Sequence, residues 1–292
     1  MEYKLQNLNL IAQGGEADIY DLDETRVLRV LRRSNASNST EKEILPILLN
    51  HQIKIPRIYD YILIGKSQAE IMEKIDGKTM IYYLQKHPLE MKTIVKQFAQ
   101  MHVNLLNIKD TCKITTIEDR VNYTLKNNDV FDKEIVDFIL EIYQGLTKGC
   151  SICHSDFHPG NILMKLQNAC EHKNRFSNYE NYIIDWSGAY IGSYLSDIAH
   201  TYLLLTNVPV IPGQSRINHY ILSKSGKLVA KSYLKEINKH LKLDYTEFSK
   251  WTVIMSMSRA FYGLPSEREY RINYVKTCYK LYKQEVDPIK WM

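Results

Sequence analysis

The sequence predicts an α+β fold, with a small β-rich N-terminal part and a larger, mainly helical C-terminal part. Two observations support this class. Residues 1 to about 75 contain short apolar runs separated by polar patches such as 21–25, a pattern typical of strands joined by turns. After Asp76 and Gly77 the apolar residues recur every three or four positions, as in amphipathic helices. We therefore expect two domains, residues 1–76 and residues 77–292, with a hinge near 73–77.

The N-terminal part is expected to form an antiparallel sheet with one helix. The predicted strands are residues 17–20, 26–31, 58–64 and 69–75. A helix should begin with Ser39 or Thr40 as its N-cap and place Leu48 on its apolar face. Pro46 falls inside this helix and should bend or shorten it, because proline cannot donate the backbone hydrogen bond of a helix interior.

The C-terminal part is expected to be built from helices. His102 lies among apolar residues at helical spacing between 94 and 106, which indicates a packed core histidine rather than a ligand. Residues 135–142 predict another helix, and two short strands bracket 165–181, a polar stretch that we interpret as an exposed hairpin loop. From Asp197 onwards the pattern is helical. Tyr270, Tyr274 and Leu281 form a stripe that predicts core packing.

The composition is that of an ordinary globular protein, with 45% apolar and 24% charged residues among 292. The net charge of +5 is mild and does not by itself indicate a nucleic-acid partner. We find no aromatic-basic binding motif and no helix-turn-helix pattern. The sequence therefore predicts no nucleic-acid partner.

The N-terminal segment and the cysteines indicate the cellular compartment in which the protein is expected. Residues 1–15 show no basic start followed by a long apolar run, and no apolar stretch approaches the roughly 20 residues of a membrane-spanning helix. We expect a cytoplasmic protein without a membrane partner. The five cysteines are an odd number and do not suggest a disulfide framework. Cys150, Cys153 and His154 match the C-x-x-C-H pattern of haem attachment, but a haem or zinc site has no second support in the sequence.

The strongest chemical signal is the stretch from His154 to Asn161, followed by the strand that ends at Asp185. Asp156 is followed by an asparagine five residues later and by a second aspartate 24 residues beyond that. Phosphoryl transfer needs a carboxylate near the attacking hydroxyl and oxygen ligands that hold Mg²⁺ against the phosphates. Asparagine and aspartate oxygens suit that hard cation. The spacing therefore favours a phosphotransferase, and His158 is left as a loop residue without a role.

These segments resemble the aminoglycoside phosphotransferase and choline kinase superfamily, which has a bilobal protein-kinase-like fold. The resemblance covers residues 10 to about 265, and its segments occur in the expected order. Residues 13–20 are similar to the loop that covers the nucleotide, 71–77 to the hinge, 154–161 to the catalytic loop and 184–186 to the metal-binding segment. The resemblance implies an enzyme that uses ATP and Mg²⁺ to phosphorylate a hydroxyl of a small molecule.

The resemblance also implies residue roles. Asp156 would be the catalytic base or would orient the acceptor hydroxyl, and Asn161 and Asp185 would bind Mg²⁺. His154 and Asp197 would support the catalytic loop. The remaining residues would contact the nucleotide: Gly14 and Gly15 in the covering loop, Arg29 and Glu41 near the phosphates, and Glu73 and Ile75 at the adenine.

The third strand departs from the family pattern. Arg29 stands where a lysine usually pairs with a helix acid and with the α- and β-phosphates. Arginine is permanently charged and binds phosphate or carboxylate with a planar fork, so it is able to substitute. Glu41 is the first choice for its partner and Glu43 the rival, because Pro46 makes the register of the helix uncertain.

The C-terminal part offers evidence on the class of acceptor and on the alternative functions. Residues 201–292 contain 15 Lys and Arg against 7 Asp and Glu, which gives no support to a polycationic aminoglycoside as acceptor; a sugar, an amino alcohol or another metabolite is an equal candidate. The alternative to an enzyme is a catalytically weak or silent binding protein with the same fold. A protein kinase is disfavoured, because Asp197 follows Asp185 by only 12 residues and leaves no space for an activation segment.

Overall fold

The computed structural model describes residues 4–15, 17–32, 39–110, 112–167, 175–207, 216–263 and 265–291. The strands described there are β1 (Asn9–Gln13), β2 (Ala17–Asp21), β3 (Arg26–Leu31), β4 (Ile58–Ile64), β5 (Ser67–Glu73), β6 (Lys78–Thr79), β7 (Ser151–Cys153), β8 (Ile162–Leu166), β9 (Tyr179–Ile183) and β10 (Tyr190–Gly192). The helices are α1 (Ser39–Asn50), α2 (Met80–Lys86), α3 (Met91–Leu106), α4 (Ile117–Lys126), α5 (Lys133–Gln144), α6 (Tyr194–Thr206), α7 (Arg216–His240), α8 (Tyr245–Tyr262) and α9 (Pro265–Lys283).

The contacts divide the chain into two compact units. The first unit consists of Met1–Lys86 and Pro159–Ser187, and the second unit of His87–His158 and Gly188–Met292. The first unit thus extends beyond Asp76 and includes a later segment of the chain. The domain boundary at residue 76 remains a prediction.

The first unit is built on an antiparallel sheet with the strand order β1-β2-β3-β5-β4. One face of β3 and β5 carries the buried side chains of Leu28, Val30, Ala69 and Ile71. Because successive side chains of a strand point to opposite faces, Arg29 lies on the other face, opposite Glu70 of β5. The four predicted strands are confirmed, although β5 ends at Glu73 and does not reach residue 75.

Helix α1 buries Glu41, Ile44 and Leu48 on one side, as residues at spacings of three and four should. The helix continues through Pro46 to Asn50, so the expected shortening at Pro46 is wrong. Ser39 is already the first residue of α1, and the N-cap position before it lies outside the described residues.

A second sheet of the first unit has the order β6-β8-β9. The short strand β6 was not predicted. It begins after Gly77, where a Cβ atom would stand 2.4 Å from the carbonyl oxygen of Met164. Only glycine permits this close approach of two backbones. The stretch between β8 and β9 was predicted as an exposed loop, and its residues 168–174 lie outside the described part.

The second unit is mainly helical and contains the two-stranded sheet β10-β7. Helix α3 buries eight side chains, including Phe98 and His102, which confirms its predicted core face. Helix α5 contains the predicted stretch 135–142. The helical prediction after Asp197 is confirmed for α6 to α9, and residues 208–215 lie outside the described residues.

Two further expectations concern the surface. Tyr270 is 51% exposed, so its assignment to a core stripe is wrong. Among the described residues, no helix is long and apolar enough to cross a membrane. The predicted fold class is confirmed: an N-terminal antiparallel sheet is followed by a larger helical C-terminal part.

Candidate active site

Arg29 is the centre of a buried charge cluster in the first unit. Its Nη1 donates to Glu41 Oε2 at 2.7 Å and to Glu70 Oε2 at 2.9 Å. Its Nη2 lies 3.7 Å from Asp185 Oδ1. Glu41 is buried and Glu43 is exposed, so α1 presents Glu41 and not its rival to Arg29.

Glu70 is a member of this cluster that was not predicted from the sequence. It is fully buried on β5 and faces Arg29 across the strand pair. A glutamate within the apolar run 69–72 was the available signal, because a buried carboxylate requires a partner. The partner itself could not be read from the sequence, since it depends on the register between β3 and β5.

The guanidinium of Arg29 binds the carboxylates of both Glu41 and Glu70, and this sharing shifts the pKa values of Glu41 and Arg29. Burial raises the pKa of Glu41 to about 7, since Arg29 offsets the desolvation only in part and Glu70 adds a like charge. Burial alone would lower the pKa of Arg29, but Glu41 and Glu70 outweigh burial and raise that pKa above its ordinary value. Arg29 is therefore a fixed cation with an excess of acidic neighbours.

Asn161 and Asp185 lie side by side in the first unit. The backbone N–H of Ile184 donates to the backbone oxygen of Asn161 at 3.0 Å, immediately before Asp185. The side chain of Asp185 is 39% exposed, and its Oδ1 accepts from the hydroxyl of Ser187 at 3.1 Å. Its φ of 66° lies in the left-handed region, which is uncommon for residues other than glycine and often marks functional positions. A partly exposed carboxylate on a segment paired with that of an asparagine offers the kind of oxygen ligands that Mg²⁺ prefers.

Trp186 fixes the backbone next to this pair. The indole is buried, and its Nε1 donates to the backbone oxygen of Ile183 at 3.2 Å. The backbone N–H of Ile183 in turn donates to the carbonyl of Lys54 at 2.9 Å. Ile183, at the end of β9, is therefore fixed through both its carbonyl and its N–H group, two residues before Asp185.

Asp156 lies in the second unit, in the loop that follows β7. Its backbone N–H donates to His154 Nδ1 at 3.2 Å, and its Oδ2 is 3.3 Å from His158 Nε2. Partial burial would raise the pKa of the Asp156 carboxyl, but the hydrogen bond with His158 and the proximity of His200 and His154 outweigh it. The pKa of Asp156 is therefore below its ordinary value, and the group is ionised at neutral pH. His158, which had no predicted role, is a partner of this carboxylate.

Asp197 of α6 holds the same loop through its backbone. It accepts from the backbone N–H of His154 at 2.7 Å and from that of Ser155 at 2.9 Å. Asp197 is fully buried, and burial would raise its pKa, but the hydrogen bond and charge of His102 hold the pKa below its usual range. The carboxylate thus stays ionised and satisfies two backbone donors at once, the geometry that the supporting role requires.

A series of hydrogen bonds leads from Asp197 into the core of the second unit. His102 Nε2 lies 3.0 Å from Asp197 Oδ2, and His102 Nδ1 lies 2.6 Å from the hydroxyl of Tyr233. The His102 ring also stacks on Phe157, with centroids 4.0 Å apart. His102 is a packed core histidine, as predicted, and it orients the aspartate that holds the loop. Tyr233 was missed, because α3 and α7 are far apart in the sequence.

Arg120 of α4 is a further contact of the loop that the sequence did not indicate. Its Nη1 donates to the hydroxyl of Ser155 at 2.9 Å, and its Nη2 donates to the backbone oxygen of Gly188. The guanidinium also stacks over the ring of Tyr190. Arg120 thus links α4 to the residue directly before Asp156.

The predicted nucleotide contacts lie in the first unit. Gly14 and Gly15 form the turn between β1 and β2, where Gly14 N–H donates to the carbonyl of Ala17 at 2.8 Å; Glu16 lies outside the described residues. Glu73 ends β5 and exchanges hydrogen bonds with Arg57, and Ile75 is half-buried in the segment before β6.

The C-x-x-C-H pattern has a different structural context. Cys150 is exposed before β7, whereas Cys153 is fully buried and its thiol lies 3.6 Å from the carbonyl oxygens of Ser151 and Ser193. Burial raises the pKa of Cys153 far above its ordinary value, which disfavours the thiolate that metals bind. Within the described ranges, no group of three or more His, Cys, Asp and Glu side chains could hold a metal ion.

The fold and these contacts define a protein with a kinase-like arrangement of elements. Solved structures support this class. The chain is similar to a thermostable mutant of aminoglycoside phosphotransferase APH(4)-Ia, with a TM-score of 0.63 at 14% identity over 96% of this chain and 94% of the other. It is also similar to an aminoglycoside-3'-phosphotransferase of type VIII, with a TM-score of 0.61 at 11% identity over 86% and 93%. A third similar structure, ADP-bound APH(2'')-Ib, gives 0.57 at 19% identity over 94% and 92%.

The family follows from the sequence model that matches this chain. Residues 7–221 match the model described as the phosphotransferase enzyme family (APH), which covers well over half of the chain. The chain belongs to this family and is a phosphotransferase by membership. No curated protein matches the sequence significantly. The low identity to the solved structures means that they show the fold and not the acceptor.

Proposed function

We propose that this protein transfers the γ-phosphate of ATP, with Mg²⁺, to a hydroxyl group of a small molecule. The observation that carries the proposal is the backbone hydrogen bond from Ile184 N–H to Asn161 O, 3.0 Å long, which holds Asn161 next to the segment of Asp185. An amide and a partly exposed carboxylate are a fitting ligand pair for Mg²⁺, which commonly takes its other ligands from phosphates and water. Bound there, the ion would neutralise charge on the phosphates.

The nucleotide is expected to contact the first unit. Backbone amides near Gly14 and Gly15 would cover the phosphates, and main-chain groups of Glu73 to Ile75 would hold the adenine. Arg29 would add a positive charge that Glu41 and Glu70 keep in a fixed orientation. Similar proteins were solved with an ATP analogue or with ADP, which supports a nucleotide as the donor.

Asp156 is proposed to act on the acceptor. As a carboxylate at neutral pH it accepts a hydrogen bond from the attacking hydroxyl, orients that oxygen and takes up its proton as the bond to phosphorus forms. Asp197 binds the backbone N–H groups of His154 and Ser155, His154 accepts from that of Asp156, and neither side chain is proposed to react. In this proposal Asp156 acts on the acceptor, and the buried Asp197 positions the loop by binding two backbone N–H groups.

The test is turnover of Mg-ATP in the presence of acceptors. A panel of sugars, amino alcohols, nucleosides and the aminoglycosides kanamycin and hygromycin B is assayed by ADP release. Asp156→Asn should lower kcat by roughly 10²- to 10⁴-fold with nucleotide affinity retained, because it removes the proton acceptor and not the nucleotide contacts. Asp137→Asn, on the exposed face of α5, is the matched control and should behave as wild type.

Two outcomes would contradict the proposal. Retained turnover in Asp156→Asn would refute the role of this residue. Tight nucleotide binding by the wild-type protein without phosphate transfer to any acceptor would support the catalytically silent alternative instead.

A further inference from the structure

A buried polar cluster lies in the second unit, next to the loop of Asp156. It consists of His200 on α6, Arg259 on α8, and Glu267 and Arg271 on α9, and we call it the His200 cluster. Arg259 Nη1 lies 3.0 Å from His200 Nε2. Arg259 also donates from Nε and Nη2 to the two oxygens of Glu267, at 3.0 Å and 2.6 Å. Arg271 is fully buried and donates to Glu267 and to the carbonyl of Leu203.

The hydrogen-bond chemistry fixes the state of the His200 ring. A guanidinium can only donate, so His200 Nε2 must accept from Arg259, and the ring proton must reside on Nδ1. Burial, together with the charge of Arg259, lowers the pKa of His200 to about 3, which agrees with a neutral ring. His200 Nδ1 is buried and has no hydrogen-bond partner among the residues that the structure describes. The ring therefore carries a buried N–H donor without an acceptor, a costly arrangement that calls for an explanation.

The rest of the cluster is also short of acceptors. Arg259 has five N–H groups, of which Glu267 and His200 take three. Arg271 Nη1 is buried, and the described part of the chain offers it no partner. Two guanidinium groups share the single carboxylate of Glu267, so the cluster has a net charge of +1. Both the unpaired donors and the charge match an oxygen ligand that carries negative charge.

The cluster is adjacent to the proposed catalytic loop within the same unit. His200 follows Asp197 by one helical turn on α6, and Asp197 binds the backbone of His154 and Ser155. His200 is close enough to Asp156 to contribute to the lowered pKa of that carboxyl. The side chain of Arg259 keeps 12% of its surface exposed. The donors of the His200 cluster thus lie beside the loop that carries Asp156.

We propose that His200 and Arg259 bind an anionic oxygen group, a carboxylate or a phosphate, of the acceptor alcohol. This inference rests on the proposed function and names the class of its acceptor. An ammonium group offers only donors and positive charge, so it would leave His200 Nδ1 unsatisfied and would be repelled by Arg259. The acceptor class is therefore acidic alcohols and not polycationic aminoglycosides.

The test compares acceptors that differ in one group. Glycerate, glycerol 3-phosphate, glycerol and 3-amino-1,2-propanediol share a three-carbon alcohol and carry a carboxylate, a phosphate, a neutral hydroxyl and an ammonium. We expect kcat/KM to be higher for glycerate or glycerol 3-phosphate than for glycerol by about tenfold or more, and lowest for the amine. The better of the two acidic probes identifies the anionic group.

Two substitutions of His200 distinguish a role of its Nδ1 donor in acceptor binding from a role of the side chain in the stability of the fold. The amide of His200→Gln can replace Nε2 at Arg259 but removes the donor at Nδ1, whereas the amide of His200→Asn retains a donor near Nδ1. We expect His200→Gln to lower kcat/KM for the preferred acidic probe by roughly 10- to 100-fold, and His200→Asn to recover part of this loss. His240→Asn, at an exposed site on α7, is the control and should change nothing.

The outcomes distinguish this inference from the proposed function. Preference for the amine or for kanamycin, equal loss in both His200 variants, or absence of turnover and of calorimetric binding for all four probes would overturn the inference. In each of these cases, Mg-ATP binding and transfer to another acceptor would leave the proposed function standing. Absence of Mg-nucleotide binding would overturn the proposed function itself.

Discussion

The cluster of Arg29, Glu41 and Glu70 makes the stability of the protein depend on pH in a direction opposite to that of a simple ion pair. Two buried carboxylates share one guanidinium, with Glu41 at 2.7 Å and Glu70 at 2.9 Å from the same nitrogen. Removing one negative charge by Glu41→Gln keeps the size of the side chain and a polar group for Arg29. The substitution therefore isolates the cost of the second buried charge.

The magnitude follows from the pKa of Glu41, which burial raises from 4.5 to about 7. The folded state then binds this proton more tightly than the unfolded state does. The stability from Glu41 is fully present below about pH 4.5 and is lost as the pH rises through about 7. The loss over this window amounts to about 3 kcal/mol in the free energy of unfolding.

Urea unfolding at pH 5 and at pH 8 measures this component. We expect the wild-type protein to lose about 2 to 3 kcal/mol more between these two pH values than Glu41→Gln does. Glu43→Gln is the matched control, because Glu43 lies on the same helix with an exposed side chain. The reasoning is refuted if Glu41→Gln and Glu43→Gln show the same pH dependence, or if Glu41→Gln loses more stability than wild type as the pH rises.

Two further substitutions test the proposed metal ligand and the close approach at β6. Asp185→Asn should weaken Mg²⁺-dependent nucleotide binding by about tenfold or more in calorimetry, and equal affinity with Mg²⁺ would contradict it. Asparagine tolerates the φ of 66° at this site, so the fold should persist. Gly77→Ala should destabilise the protein by about 1 to 3 kcal/mol in urea, because its Cβ would stand 2.4 Å from Met164 O. Gly145→Ala, whose Cβ would meet its nearest atom at 3.8 Å, should not.

Local patterns were sufficient to predict the elements that carry the site. The alternation of apolar and polar residues placed β2 to β5, and helical spacing placed α3 and α5. The spacing of Asp156, Asn161 and Asp185 singled out these three residues, because phosphoryl transfer needs a carboxylate near the hydroxyl and oxygen ligands for Mg²⁺. At Pro46 a local rule predicted that α1 would bend or shorten, and the helix continues through this residue to Asn50.

Short strands escaped prediction for a related reason. β6, β7 and β10 have two or three residues each, which is too few for a period of two to stand out. Each of them pairs with a strand distant in the sequence, β6 with β8 and β7 with β10. Gly77 beside Met164 illustrates this, since only the packed backbone shows why glycine is required there.

The class of fold, the order of the motif residues and the cation at Arg29 follow from the amino-acid sequence, because they rest on residue types and on patterns within a few positions. The tertiary structure alone decided which groups meet. Glu70 reaches Arg29 from 41 residues away, Tyr233 reaches His102 from 131, and Arg259 reaches His200 from 59. Strand register and helix packing set these contacts, and with them the burial that raises the pKa of Glu41 and leaves the donor of His200 unpaired.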